Sequence, residues 1–296
     1  MPLPTSTETE SEWLNPEAPQ HDRPLTVLAP VYNPQTEQNL IEMAALLARS
    51  QGGQIIPLAI TVARPHMGTS QLHQAMERSE ELLEKARSLG TAFEVRIKPL
   101  LRIDEQVPMG ICRAAQEQRA DLILLGWGNN VGLRARLFGN LVDTVFWATP
   151  CPVAVARLLS PPHRFQRILV PVVNFSERVV RIVAFARLLA EATQAEITLL
   201  HIVNPSFLEH SAEWVNNQMK ELIVRAHFQT PVQTLVTQAS DIASEILQES
   251  QSFDLVILHS QRHQTAAEGF GLSSITSQIA QQLTCSTIVL GEAHLL

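Results

Sequence analysis

The sequence predicts an α/β protein made of two tandem doubly wound sheets, each with five parallel strands, packed as a pseudo-two-fold pair. Three observations carry this prediction. Short β-rich runs alternate with longer amphipathic stretches from residue 25 onward. The whole series then starts again near residue 167. The length of 296 residues also suits two domains, at roughly 150 residues each. Composition agrees: at 45% apolar, 17% charged and only 5% aromatic, the chain leans on Leu, Ile, Val and Ala, which build helices on parallel strands.

Residues 1–22 are rich in Pro, Glu, Ser and Thr, with Trp13 as their one aromatic. Such a stretch buries too little apolar surface to offset its ordering entropy, so a disordered leader or linker is expected. LTVLAPV (25–31) then reads as a buried strand. A helix over 36–50 follows, with Leu40, Ile41, Ala44, Leu47 and Ala48 on one face, and Gly52-Gly53 stops it. IIPLAITV (55–62) is strand two, 70–89 a helix ended by Gly90, and FEVRIKPLL (93–101) strand three. On that second helix Met76, Leu82, Leu83 and Leu89 form the core side, and the Glu, Arg and Lys residues the solvated side. A helix over 105–118, strand four DLILLGW (121–127), a helix over 141–148 and strand five PVAVAR (152–157) complete a first domain spanning 23–158.

RILVPV (167–172) repeats strand one, and a helix over 176–192 repeats helix one, with Val179, Val180, Val183 and Leu188 on its apolar face. AEITLLHIV (195–203), VQTLVTQ (232–238), FDLVILH (253–259) and CSTIVL (285–290) answer strands two to five, and 241–251 answers helix three. A repeat of this length means two copies of one domain fold, the second spanning 164–296. The linker LSPPH (159–163) is stiff and too short for independent tumbling.

A formal charge of −7 and a pI near 5.8 exclude broad attraction to nucleic acid and weigh against an anionic-membrane binder. Cys112, Cys151 and Cys285 are too scattered for a disulfide framework or a zinc cluster. The first two dozen residues carry no apolar signal region, and no apolar run reaches the roughly 18 residues of a membrane span. A cytoplasmic protein without a metal is therefore expected.

In doubly wound sheets a ligand binds beyond the carboxyl ends of the strands, where the strand order reverses. In copy one that crevice is bracketed by Val31, Tyr32 and Asn33 after strand one, and by Gly126, Trp127, Gly128 and Asn129 after strand four. The following segment runs GWGNNVGLRARLFGN (126–140). Gly and Asn tolerate positive φ, so its N–H groups can wrap an anion. Gly139-Asn140 opens the next helix, whose free N–H groups favour phosphate, and Arg134 and Arg136 add positive charge. The competing reading is an ordinary Gly-rich loop with two solvated arginines.

These features resemble the universal stress protein family in tandem form, over nearly all of residues 23–291. The family's signature after strand four is glycine, two residues, glycine, nine residues, then glycine with serine or threonine. Here Gly126, Asn129, Gly139 and Asn140 keep that spacing, with Asn replacing the second glycine and the final Ser/Thr. ATPCPVAVAR (148–157) is similar to the strand-five ending, and the VPV of strand one in copy two to the opening. The resemblance implies that copy one takes ATP or another adenine nucleotide through Val31, Asn33, Gly126, Gly128, Asn129, Gly139 and Asn140. ATP-binding members carry an aspartate at the end of strand one, where this chain has Tyr32 or Asn33. Copy two reads HSQRHQTAAEGFGLSSITSQ (259–278), with His259, Arg262 and Ser273-Ser274 where the glycines would stand, and is expected to be a structural partner.

A narrower resemblance is to the cytosolic universal-stress-like region of cyanobacterial cation/proton antiporters, carried by PVYNP (30–34), the GW after strand four, and LRARLFGN with VFWATPCPVAV. It implies a membrane antiporter as partner, and either a stand-alone relative or a fragment of a transporter. A homo-oligomer or an intramolecular domain pair is expected, with no nucleic-acid partner.

Other groups carry less. No G-x-S-x-G, Walker A or H-E-x-x-H pattern is present, so the expectation is a protein that is not an enzyme. Cys151 and Cys285, at equivalent positions, read as small buried hydrophobes, and His201 as a core histidine. His259 and His263 have a metal-ligand spacing but no third ligand nearby. Asn174-Phe175-Ser176 spells a glycosylation sequon only. The expected function is a sensor or regulatory module, the alternative a ligand-free docking module.

Overall fold

The computed structural model describes residues 24–127, 140–205, 211–260 and 274–291. Copy one runs β1 (Thr26–Pro30), α1 (Pro34–Ser50), β2 (Gln54–Val62), α2 (Thr69–Thr91), β3 (Arg96–Ile97), β4 (Leu100–Asp104), α3 (Val107–Glu117), β5 (Leu122–Gly126), α4 (Asn140–Ala148) and β6 (Val153–Arg157). A one-turn 3₁₀ segment, Pro162–Arg164, follows in the linker. Copy two runs β7 (Arg167–Pro171), α5 (Glu177–Thr193), β8 (Glu196–Val203), α6 (Ala212–Arg225), β9 (Gln233–Gln238), α7 (Ile242–Ser250), β10 (Leu255–His259), α8 (Ser274–Gln282) and β11 (Ser286–Gly291). The predicted leader 1–22 and the last residues of the predicted second domain lie outside the described residues.

The local signals act as their chemistry requires. Gly52 ends α1 in the left-handed region (φ 59°), and the Gly53 N–H returns to the Ala48 carbonyl at 2.7 Å, closing the helix. Asp241 caps α7, accepting from the Ala243 and Ser244 amides. The sequon asparagine is a turn residue: Asn174 Oδ1 accepts from both the N–H and the hydroxyl of Ser176, ahead of α5. Strand three of copy one departs from its expected span of 93–101. It forms β3 and β4 instead, pairing with Gln54–Ile55 and Leu58–Val62 of β2. The break falls at Pro99, opposite the stretch that holds Pro57; neither proline has an N–H to give the ladder.

The strands form one continuous sheet in the order β3-β2-β1-β5-β6-β11-β10-β7-β8-β9, with β4 beside β2. Each half is parallel and doubly wound, as expected, and the two halves are merged rather than merely packed. The join is the antiparallel pair β6–β11, running from Arg157↔Thr287 to Val153↔Gly291. Each fifth strand would otherwise present an open edge, and pairing satisfies both rows of N–H and C=O groups. Val155 faces Val289, each four residues beyond the equivalent cysteines, so the seam is centred on the pseudo-two-fold axis.

Both faces of the sheet are covered. Alternate residues of β5 divide between two cores: Leu122 and Leu124 face α1, α2, α5 and α6, whereas Ile123 and Leu125 face α3, α4, α7 and α8. Each core crosses the seam, and α1 packs against α5. Most of the expected helix faces behave accordingly: Leu83, Val179, Val180, Val183 and Leu188 are buried and Leu82 and Leu89 pack against their core partly exposed, whereas Met76, expected on the core side, is only half-buried and joins neither core. Two aspartates repeat one fastening: Asp121 Oδ2 accepts from the Thr26 amide at 2.8 Å, and Asp254 Oδ2 from the Gln166 and Arg167 amides at 2.9 Å. Each pins the start of strand four to the start of strand one.

Candidate functional site

The order of strands reverses between β1 and β5, and the helices that follow them, α1 and α4, lie on opposite faces. A crevice therefore opens between the carboxyl ends of these two strands. Val31 continues β1 inward: its side chain is buried and its N–H donates to the Leu58 carbonyl at 2.8 Å. Asn33 starts α1, its carbonyl accepting from the Thr36 and Glu37 amides at 3.1 Å each. Gly126 ends β5. A Cβ there would meet Thr36 Oγ1 at 3.4 Å and Leu40 at 3.6 Å, so no described residue forces a glycine at this position. Gly128, Asn129 and Gly139 lie outside the described residues, as do Arg134 and Arg136. Asn140 begins α4.

Tyr32 joins the two sides. It is 48% exposed, yet its hydroxyl donates to the Gly126 carbonyl at 2.5 Å, across the mouth between β1 and β5. Loss of water around the phenol pushes its pKa above the usual value. One turn into α1, Glu37 is buried, with the Lys85 ammonium of α2 paired to it at 3.3 Å from Oε2. Burial raises its pKa, and the charge of Lys85 opposes the rise. Neither feature was read from the sequence. The signal for Glu37 was available: an acid one turn before Ile41 on an otherwise apolar helix face.

On the far side of copy one, Asp104 ends β4 and organises a cluster. Its carboxylate accepts from the Glu105 amide at 2.9 Å, from Arg113 at 2.8 Å and from Arg102 at 3.3 Å. Burial alone would raise its pKa; the Gln106 amide, Arg102 and Arg113 outweigh that and hold it low. A carboxylate held low when folded adds stability that is fully present above its unfolded pKa, about 3.9, and is lost as pH falls through the folded value. Asp104→Asn is therefore expected to lower the urea midpoint near neutral pH, and the difference from wild type is expected to close in strong acid. A gap of constant size across that range would show that the charge is not what stabilises.

Trp127, directly after β5, donates its backbone N–H to the Ala156 carbonyl at 2.8 Å, and the Arg157 guanidinium lies 5.4 Å from its ring centre. In copy two, rings gather beside the carboxyl ends of β7 and β8. His201 Nδ1 is 2.8 Å from the Val172 carbonyl, Phe175 packs 5.0 Å from the imidazole, and Trp214 meets Phe175 edge-on at 5.6 Å. His201 is thus a satisfied histidine at the end of the core. Ser260 donates its N–H to the Leu290 carbonyl, as Trp127 does to Ala156.

All three cysteines sit where burial disfavours the thiolate. Burial pushes the Cys112 thiol up to about 11, raises Cys151 further, and raises Cys285 as well. Among the described residues no group of three potential metal ligands comes together; His263 lies outside them. No described helix is long and apolar enough to cross a membrane.

Comparison with known proteins bears on this arrangement. The model of the universal stress protein family matches residues 25–157 and again 164–291. The chain is 38% identical over 270 residues to a Na(+)/H(+) antiporter, NhaS5, of Synechocystis sp.; the match covers 91% of this chain and 38% of that protein, so the chain spans well under half of its relative. In fold it is similar to a universal stress protein from Archaeoglobus fulgidus (TM-score 0.66, 16% identity, 89% of this chain and 97% of that one). It is also similar to the cytoplasmic domain of a prokaryotic cation chloride cotransporter (TM-score 0.57, 9% identity, 91% and 96% covered). At these identities the two likenesses concern fold alone.

Proposed function

The chain belongs to the universal stress protein family, in tandem form, and from that premise we propose that it is a regulatory module for a membrane cation/proton antiporter, switched by an adenine nucleotide or a related anion in copy one. The observation that carries this reading is the 38% identity to an antiporter over 91% of the chain. The module has no catalytic chemistry of its own. It works by population shift: a ligand at the switch point favours one arrangement of the crevice and of the surfaces continuous with it.

Support for the ligand comes from the crevice. A Cβ at Gly126 would make only ordinary contact with Thr36 and Leu40, so the described fold does not itself impose a glycine there. Val31 and Asn33 border the crevice from β1, and in sequence Gly126, Asn129, Gly139 and Asn140 keep the phosphate-cradle spacing, with Gly128 between the first two. A nucleotide there would supply charge and a planar base, and the chain's part is to bind and orient it. Tyr32 must release the Gly126 carbonyl wherever the base or ribose needs that space. The closed Tyr32–Gly126 bond also favours a second reading, a docking module that takes no ligand.

Purified protein should release an adenine nucleotide on denaturation, detected by mass spectrometry, and bind ATP, ADP or AMP in calorimetry with one site per chain. Gly139→Val, which adds bulk where the backbone must approach phosphate, is expected to weaken binding at least tenfold, a loss of about 1.4 kcal/mol. No heat of binding at millimolar nucleotide would leave the docking reading. The partner is tested separately, by co-sedimentation with liposomes carrying a homologous antiporter stripped of its own matching region. Failure to sediment would remove the antiporter from the proposal.

A further inference from the structure

At the carboxyl end of β6 the structure brings together one residue from the crevice of copy one and the first residues of the fifth strand of copy two. We propose that Arg157 is a positioning residue that ties the copy-one crevice to copy two, by holding the Trp127 ring on one side and the α8–β11 connection on the other. Its guanidinium lies 5.4 Å from the Trp127 ring centre. Its Nη2 donates to the Leu283 carbonyl at 2.6 Å, and reaches the Cys285 carbonyl at 3.3 Å and Thr287 Oγ1 at 3.4 Å. Leu283 closes the last turn of α8, its N–H bonded to the Ile279 carbonyl. One planar cation therefore touches the root of the 127–140 segment, the end of a helix in the other copy and the start of its seam strand.

The fork geometry suits this task. A guanidinium can stack on an indole face while its N–H groups donate in its own plane, which an ammonium cannot do. The device is one-sided. Copy two has Ser260 at the place of Trp127 and Gly291 at the place of Arg157, so only the state of the first crevice has this route across the seam. A shift of Trp127 takes the guanidinium with it or breaks the contact, and either changes the donors available to Leu283 and Cys285. The inference builds on the copy-one crevice as the ligand site, yet the coupling itself exists without ligand.

The test is amide hydrogen exchange on the intact chain, read over residues 283–291, for wild type, Trp127→Ala, Arg157→Lys and the double variant. Trp127→Ala, a change in copy one, is expected to speed exchange across the seam by about threefold or more, and Arg157→Lys likewise, with the double variant no faster than the faster single one. Trp127→Phe, which keeps an aromatic face, should restore most of the protection and guards against a general folding defect. Unchanged exchange in Trp127→Ala, or effects that multiply in the double variant, would overturn the inference and leave Arg157 a seam residue only. A second arm adds millimolar ATP: the exchange of 283–291 should change in wild type and not in Arg157→Lys, with calorimetric affinity retained in both. An absence of ATP binding would sink the nucleotide reading, and the ligand-free cycle would still decide the coupling.

Discussion

Gly291→Ala should destabilise the protein by about 2–3 kcal/mol, seen as a lower urea midpoint at unchanged slope. Gly291 ends β11 opposite Val153, and a Cβ built on it would lie 2.0 Å from Cε1 and 2.4 Å from Cδ1 of Phe146 in α4. Phe146 is buried in the core that runs under the seam, so its ring has no open direction in which to yield. The added methyl must therefore part α4 from the strand pair or bend β11 away from β6. Phe146→Ala alone removes a buried ring, at about 3–5 kcal/mol. In that background Gly291→Ala is expected to cost far less, because the methyl then fills vacated space. Strict additivity of the two changes would mean that the ring and the glycine do not meet, and that the seam end is built otherwise. This end of the seam also mirrors Arg157: at both ends a side chain of copy one reaches over copy two.

Glu42→Ala is the second large effect, expected at about 2 kcal/mol of stability together with faster proteolysis of the linker. The Glu42 carboxylate is buried on α1, and its Oε1 accepts both the His163 backbone N–H at 2.8 Å and the His163 Nδ1 at 2.6 Å. Around it the linker is held to both copies: Asn39 Nδ2 donates to the Leu158 carbonyl, and the Leu159 N–H donates to Ser286 Oγ. Removing the carboxylate leaves the part-buried linker amide without its acceptor. His163→Ala keeps the backbone bond and should cost less than half as much, since the imidazole is 55% exposed and can turn to water. Equal losses for the two variants would place the energy in the ring contact instead. A linker that releases α1 would also loosen the packing of α1 on α5, the contact between copies on that face.

Much of the molecule could be read from the chain alone, because it depends on local chemistry and on repetition. The strand–helix alternation, the repeat, the glycine stop after α1 and the apolar faces of α2 and α5 follow from hydrophobic period and turn residues, which neighbouring residues decide. The place of the crevice followed as well, since the order of elements sets where a doubly wound sheet reverses. The spacing of Gly126, Asn129, Gly139 and Asn140 was legible, and so was the family.

Tertiary structure alone decided the rest. The merger of two expected sheets into one depends on which edges meet, and Val155 opposite Val289 is a pairing across more than a hundred residues. Strand three moved because Pro57 and Pro99, far apart in sequence, withhold N–H groups from neighbouring rungs. Tyr32 closing on Gly126, Glu37 buried beside Lys85, Glu42 holding His163 and Arg157 reaching from Trp127 to Leu283 all join polar groups that are distant in the chain. A hydrophobic pattern shows that a face will be buried but not which partner a polar atom finds inside. That choice is made only when the backbone has brought the groups within hydrogen-bond distance, where leaving any of them unpaired is costly.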